Sequence, residues 1–187
     1  AKILKESGAD LLVLEMLLDV DHSKILLNAA LETGLPVWVG LSCCDSKFDN
    51  SVIGRNFRAE KEKSLIYDEN KYKDQPKYLP EDKIILLEDI IKSLTSLGGD
   101  VYGIMHTWFQ DSIGGLKILK NNWKGPIMFY PEIHKFDTNT HKAIITMTEE
   151  EFSNSILELI DDQIQIVGGC CGVNDKHLKR LIQSISE

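Results

Sequence analysis

The sequence has no long hydrophobic segment, no excess of basic residues and no glycine-rich phosphate-binding motif. Its apolar runs are far shorter than the roughly 20 residues of a membrane-spanning helix, so we expect no membrane partner. The net charge of −8 argues against a nucleic-acid partner, because phosphate binding needs a basic face. Neither a G-x-G-x-x-G motif nor a P-loop follows any apolar run, which removes the best support for a nucleotide-binding sheet.

Cysteine is also scarce, with four residues in two adjacent pairs, Cys43–Cys44 and Cys170–Cys171. Adjacent cysteines rarely form a disulfide, because the geometry is strained. The segment 1–10 is polar and does not resemble a signal peptide. We therefore expect a reducing, cytoplasmic location, where cysteines more often bind metal or react than cross-link.

The chain does contain a regular alternation of apolar runs and amphipathic segments. Its 187 residues, 43% hydrophobic and 27% charged, are ordinary for one soluble domain with a core. Strands are predicted at 9–17, 35–44, 100–108, 125–132 and 164–169. Helices are predicted at 22–34, 81–99, 110–122, 148–160 and 174–185. Continuous apolar strands that alternate with helices indicate an α/β fold with a parallel sheet. Either an open doubly wound sheet or part of a (β/α)8 TIM barrel fits this pattern.

One segment interrupts the alternation. Residues 45–80 are polar and lie between a predicted strand and the helix that follows it. A connection of this length is unusual and is often functional. We interpret it as a long loop insertion, which is either a lid over the active face or a solvent-exposed insertion without a role in the site.

Reactive side chains fall at the ends of all five predicted strands, where parallel α/β folds bind ligands. They are Glu15 on the first strand, Ser42, Cys43 and Cys44 on the second, His106 on the third, Tyr130 and Glu132 on the fourth, and Cys170 and Cys171 on the fifth. In "VGGCCGV" the flanking glycines permit unusual backbone torsions and leave room near a metal. Two thiolates with an imidazole suit zinc, leaving a fourth position for a thiol substrate.

Each of these residues also has a simpler explanation. The pair Cys170–Cys171 could be two small buried residues. His106 could be a hydrogen-bonded histidine in a cleft, and Glu15 could be a helix cap or a salt-bridge carboxylate.

The remaining cysteines and histidines receive no functional assignment. We interpret Cys43–Cys44 as packing residues, because no matching ligands are visible near them in the sequence. His134 and His141 lie in a polar stretch and are predicted to be solvated.

The stretch "VGGCCGV…HLKRL" resembles the C-terminal signature of the homocysteine S-methyltransferase family, which includes betaine–homocysteine methyltransferases. Three further segments are similar to the family in order and approximate spacing: "GADLLVLEML…ILLNAALETGLPVWVGLS", "GGDVYGIMHT" and "PIMFYPE". The GGCCG motif is fairly specific, whereas the others are weak singly. The resemblance covers nearly the whole chain.

The resemblance implies a (β/α)8 TIM barrel, of which this chain would supply about strands 4 to 8. Residues 1–187 would then be the C-terminal portion of a single barrel domain, or one partner of an assembled barrel. Five strands cannot close an eight-stranded barrel. We therefore expect an isolated chain to expose sheet edges and to associate. A homo-oligomer is one form that this association could take.

Carried over residue by residue, the resemblance assigns zinc ligands and one substrate contact. Cys170 and Cys171 match the family's paired zinc ligands, and His106 stands where the family has its third cysteine. This replacement makes the site one charge less negative. Glu15 matches the family's strand-end glutamate, which lies near the substrate's amino group. No catalytic residue beyond the metal site is implied.

The leading hypothesis is therefore zinc-dependent transfer of a methyl group to a small-molecule thiol, with homocysteine giving methionine. The methyl donor, whether betaine, a sulfonium compound or a folate derivative, cannot be read from the sequence. A first alternative is a different enzyme on the same barrel, in which His106 and Glu132 act as acid–base groups. A second is a non-catalytic barrel fragment that binds metal or a partner protein.

Overall fold

The fold is an α/β fold built around one five-stranded parallel sheet. The computed structural model describes residues 1–45, 51–54, 85–137 and 142–186. The predicted insertion at 45–80 lies almost entirely outside these residues, as does His141. Within the described residues, no helix is both long and apolar enough to cross a membrane.

Five helices of the described part of the chain lie close to the predicted positions: α2 (Val20–Leu31), α3 (Leu87–Thr95), α4 (Phe109–Asn122), α5 (Glu149–Leu157) and α6 (Asp175–Ser186). A short helix, α1 (Lys2–Glu6), precedes them. Two of these helices begin at residues whose side chains cap the first turn. Asp19 accepts the backbone N–H of His22 at the start of α2, and Thr148 and Glu151 form a reciprocal capping box at the start of α5.

The main sheet consists of the five predicted strands, somewhat shortened. They are β1 (Leu12–Leu17), β2 (Val37–Leu41), β5 (Val101–Trp108), β6 (Ile127–Glu132) and β9 (Ile164–Val167). Every neighbouring pair is parallel, in the order β1-β2-β5-β6-β9. Because this order follows the chain without reversal, the sheet is not doubly wound. It is an arc of a barrel, and within the described residues it stays open.

Four short strands of the described residues lie outside the main sheet and were not predicted as separate strands. β3 (Cys43–Asp45) pairs antiparallel with β4 (Val52–Gly54), and β7 (His134–Asp137) pairs antiparallel with β8 (Lys142–Ile145). The second hairpin follows β6 directly and occupies a stretch that the sequence indicated as a polar loop. It brings residues after β6 back toward the end of the main sheet.

The core lies between the sheet and the helices. Strand residues such as Val39, Ile104 and Phe129 are fully buried, as are helix residues such as Leu27 and Phe152. β2 and β5, two of the three interior strands, are buried on both faces over most of their length, which explains why they appear in the sequence as continuous apolar runs. This packing fixes the carboxyl ends of the strands relative to one another.

Candidate metal site at the strand ends

Two strands of the sheet break their regular pairing near their carboxyl ends. The register shifts between Leu14 and Leu17 in β1 and between Met105 and Trp108 in β5. Each irregularity contains a non-glycine residue with positive φ, Met16 at 58° and His106 at 45°. Such irregularities re-aim side chains and are common beside active sites. In β5 the result is that His106 is directed to the cysteine pair.

The loop after β9 is tied to β6 by backbone hydrogen bonds on both sides of Glu132. The Cys170 N–H donates to the Pro131 carbonyl at 3.0 Å, and the Ile133 N–H donates to the Cys171 carbonyl at 2.9 Å. The vicinal cysteines are therefore held by main chain rather than by their own side chains. This leaves both thiols available as ligands.

Two glycines of the motif are required by the shape of this loop. Gly172 has φ +91°, in the left-handed region that favours glycine. A Cβ on Gly169 would lie 2.2 Å from a methyl carbon of Val173, so only glycine fits there. The sequence "GGCCG" thus encodes a tight turn that presents two cysteines side by side.

The three predicted metal ligands come together. The His106 Nδ1 lies 3.5 Å from the Cys170 Sγ and 3.6 Å from the Cys171 Sγ, and the two sulfurs are 3.9 Å apart. Tetrahedral zinc, with bonds of about 2.3 Å to sulfur and about 2.05 Å to nitrogen, separates two sulfurs by about 3.8 Å and sulfur from nitrogen by about 3.6 Å. The donor spacing therefore fits one zinc ion, and we name these residues the His-Cys-Cys triad.

A buried carboxylate lies against the triad. Glu132 is 1% exposed, and its Oε2 lies 3.4 Å from the His106 Nδ1. Burial, followed by the negative charges of Cys171 and Glu132, raises the pKa of the Cys170 thiol to about 11. A thiol with this pKa stays protonated near neutral pH unless a cation binds beside it.

Glu15 is exposed at the end of β1 and is not part of the triad. Burial raises the pKa of the Tyr130 phenol, and the charges of Glu15 and Cys170 raise it further. Tyr130 packs over β2, since a Cβ on Gly40 would lie 3.2 Å from the tyrosine hydroxyl. The Tyr130 phenol is therefore neutral and close enough to Glu15 and Cys170 to be affected by both charges.

The other strand-end residues belong to the packing of the sheet. Ser42 is buried and donates to the Met105 carbonyl at 2.9 Å. Cys43 is 1% exposed within the core cluster, and Cys44 is half-buried in β3. None of the four cysteines, all of which lie in the described part of the chain, forms a disulfide.

Sequence reasoning missed the position of His134. It is half-buried at the start of β7 rather than solvated, so that prediction is wrong. Its Nδ1 is buried and has no hydrogen-bond partner among the described residues. The sequence signal that could have located His134 near the site is its position two residues after Glu132, where the chain continues directly from the end of β6.

The sequence profile of the homocysteine S-methyltransferase family matches residues 86–185, just over half of the chain. The chain belongs to this family. The match includes the whole His-Cys-Cys triad and ends within α6. No curated protein matches the sequence significantly.

Two solved structures are similar to the chain in fold. The metallated form of the homocysteine methyltransferase MmuM from Escherichia coli matches 97% of the chain at 15% identity, with a TM-score of 0.63. Dihydrodipicolinate synthase DapA-2 from Bacillus anthracis matches 97% of it at 11% identity, with a TM-score of 0.52. The chain spans about half of each relative, 47% and 50% respectively.

Proposed function

We propose that this family member takes part in zinc-dependent transfer of a methyl group to a thiol, with homocysteine as the acceptor. The observation that carries the proposal is the His-Cys-Cys triad, whose donor separations suit tetrahedral zinc. Its three members lie within the segment that matches the family.

The donor set suits zinc in its chemistry as well as in its spacing. Two thiolates and one imidazole leave a tetrahedral ion one open position, which is the arrangement of catalytic rather than structural sites. Zinc bound there would lower the pKa of an acceptor thiol, so that its sulfur is a nucleophile near neutral pH. His106, Cys170 and Cys171 would hold the ion.

The chain's own residues can position an amino-acid substrate. Exposed Glu15 offers a carboxylate to an ammonium group, as in a charge-assisted hydrogen bond. The charges of Glu15 and Cys170 both act on Tyr130, and the raised pKa of its phenol keeps the hydroxyl protonated as a donor. An amino acid with a thiol at the end of its side chain would bridge these two places.

The proposed reaction is a single displacement at carbon. The bond from the methyl carbon to the donor's heteroatom breaks as a carbon–sulfur bond forms, and the donor leaves with the electron pair. The thiol proton passes to solvent. The donor is a betaine, a sulfonium compound or a folate-derived methyl group.

One contact favours a second candidate function. The His106 Nδ1 and the Glu132 Oε2 are 3.4 Å apart, with both side chains largely buried. A histidine and a carboxylate at this spacing could serve as an acid–base pair. Such an enzyme would be insensitive to chelators and would show a pH–rate profile governed by one group near neutrality.

The test measures methionine formed from homocysteine with each of the three donor classes, before and after chelation. Cys170→Ser should lower kcat/KM by more than about 100-fold, because removing a direct ligand should exceed the 10–100-fold cost of removing a supporting contact. Cys43→Ser is the matched control and should leave kcat/KM within about threefold.

Full activity in Cys170→Ser, or after removal of zinc, would contradict the proposal. Activity that survives chelation but is lost in Glu132→Gln would support the acid–base candidate instead.

A further inference from the structure

A second group of metal-binding side chains adjoins the triad. Glu132, His134 and Cys171 each offer a donor atom, and these atoms all lie within 4.8 Å of one another. The two groups share only Cys171. The five donors therefore divide into two sets of three around one common thiol, rather than forming a single larger shell.

The fold builds this second set with main-chain bonds. Ile133, which separates Glu132 from His134, donates its N–H to the Cys171 carbonyl and accepts the Thr146 N–H at 2.8 Å. The backbone of His134 packs on Gly172, where an added Cβ would lie 3.1 Å from the His134 nitrogen. His134 is thus held beside the cysteine pair by the β7–β8 hairpin.

His134 itself indicates that a partner is absent. Its Nδ1 is buried and finds no hydrogen-bond partner within the described part of the chain. A buried ring nitrogen without a partner is costly. A metal ion is a natural partner for it, because histidine nitrogen is among the commonest metal ligands.

A zinc ion bound at the triad would make a second cation more favourable. A His106 Nδ1 that binds an ion cannot also donate a hydrogen to the Glu132 Oε2, although the two atoms are 3.4 Å apart. The cluster would then contain up to three anionic groups: Cys170, Cys171 and Glu132. One divalent ion leaves these groups with a net charge of −1, and two divalent ions give +1.

We propose that Glu132, His134 and Cys171 form a second zinc site, with the Cys171 thiolate shared between two ions. Sulfur, imidazole nitrogen and carboxylate oxygen are the three donor types that zinc accepts. The proposal rests on the metal site of the proposed function, because Cys171 belongs to both sets.

The test counts zinc ions per folded chain by native mass spectrometry after loading with zinc and removal of the excess. Wild type should carry two ions. His134→Ala and Glu132→Gln should each carry one, while His22→Ala, a matched change at an exposed histidine beside Asp19, should keep two. Far-UV circular dichroism checks that each variant is folded, and Glu132→Gln keeps the shape of the buried side chain.

The outcomes separate this proposal from the first site. One ion in wild type, kept in His134→Ala and lost in Cys170→Ser, would overturn the second site and leave the triad. No ion in folded wild type would overturn both sites. Loss of an ion in His22→Ala would assign it to the surface and overturn the second site.

Discussion

The two cysteine pairs have the same sequence but lie in different surroundings. Cys43–Cys44 begins β3, where Cys43 is fully buried and burial, the largest cause, raises the pKa of its thiol far above the usual value. Cys170–Cys171 lies in a glycine-flanked turn beside a histidine and a carboxylate. A cysteine pair becomes a candidate metal site through the groups that the fold brings to it, and within the described residues only the second pair is grouped with other metal-binding side chains.

The largest expected difference between the pairs is in metal affinity. Cys170→Ser should weaken zinc binding by more than about 100-fold, since a neutral hydroxyl replaces a thiolate ligand. Cys43→Ser should leave the zinc affinity unchanged, because Cys43 lies in the core cluster and belongs to neither group of metal-binding side chains. Competition with a chromophoric chelator measures both affinities. Equal affinities in the two variants would remove the distinction between the pairs.

The first pair should instead respond to changes in packing. A Cβ on Gly115 of α4 would lie 2.5 Å from the Cys43 Sγ, so Gly115→Ala should lower the free energy of unfolding by about 2–3 kcal/mol through overpacking. The neighbouring Gly114→Ala is the control, because its nearest contact would be the Val52 Cγ2 at 3.2 Å. Urea denaturation compares them.

A Gly115→Ala variant as stable as Gly114→Ala would mean that Cys43 is not tightly packed. Zinc affinity should stay the same in both variants, since neither glycine is near the second pair.

The smallest effect is expected at Thr107, which connects the two regions. Its hydroxyl accepts the Cys43 N–H at 3.0 Å and donates to the Met105 carbonyl at 2.9 Å, and its neighbour is His106. Thr107→Val leaves a buried N–H without its acceptor and should cost about 1–2 kcal/mol of stability. Thr107→Ser keeps the hydroxyl and should cost less. The reverse order in thermal unfolding would contradict this account.

The sequence was sufficient to predict the sheet and the meeting of His106, Cys170 and Cys171 at its strand ends. Continuous apolar runs such as 35–44 and 100–108 contain the central strands, and burial on both faces explains why they are easy to recognise. The glycines that flank the cysteines in residues 167–173 likewise predict a tight turn that presents Cys170 and Cys171. The assignment of zinc to His106, Cys170 and Cys171, and of substrate to Glu15, stays a prediction.

Other features depend on contacts between distant parts of the chain. The irregularity that re-aims His106 arises from pairing between β5 and β6, which local periodicity does not encode. The β7–β8 hairpin has little apolar alternation, so the sequence around His134 indicated a polar loop. Its position follows from the hydrogen bond between Ile133 and Cys171, two residues that are separated along the chain by the hairpin itself, α5 and β9.

Zinc K-edge X-ray absorption on the zinc-loaded chain tests the central claim most directly. The account predicts sulfur neighbours at about 2.3 Å together with nitrogen or oxygen neighbours at about 2.0 Å. The sulfur contribution should fall in Cys170→Ser and stay unchanged in Cys43→Ser. A coordination shell that contains only nitrogen and oxygen would contradict the assignment of zinc to the second cysteine pair.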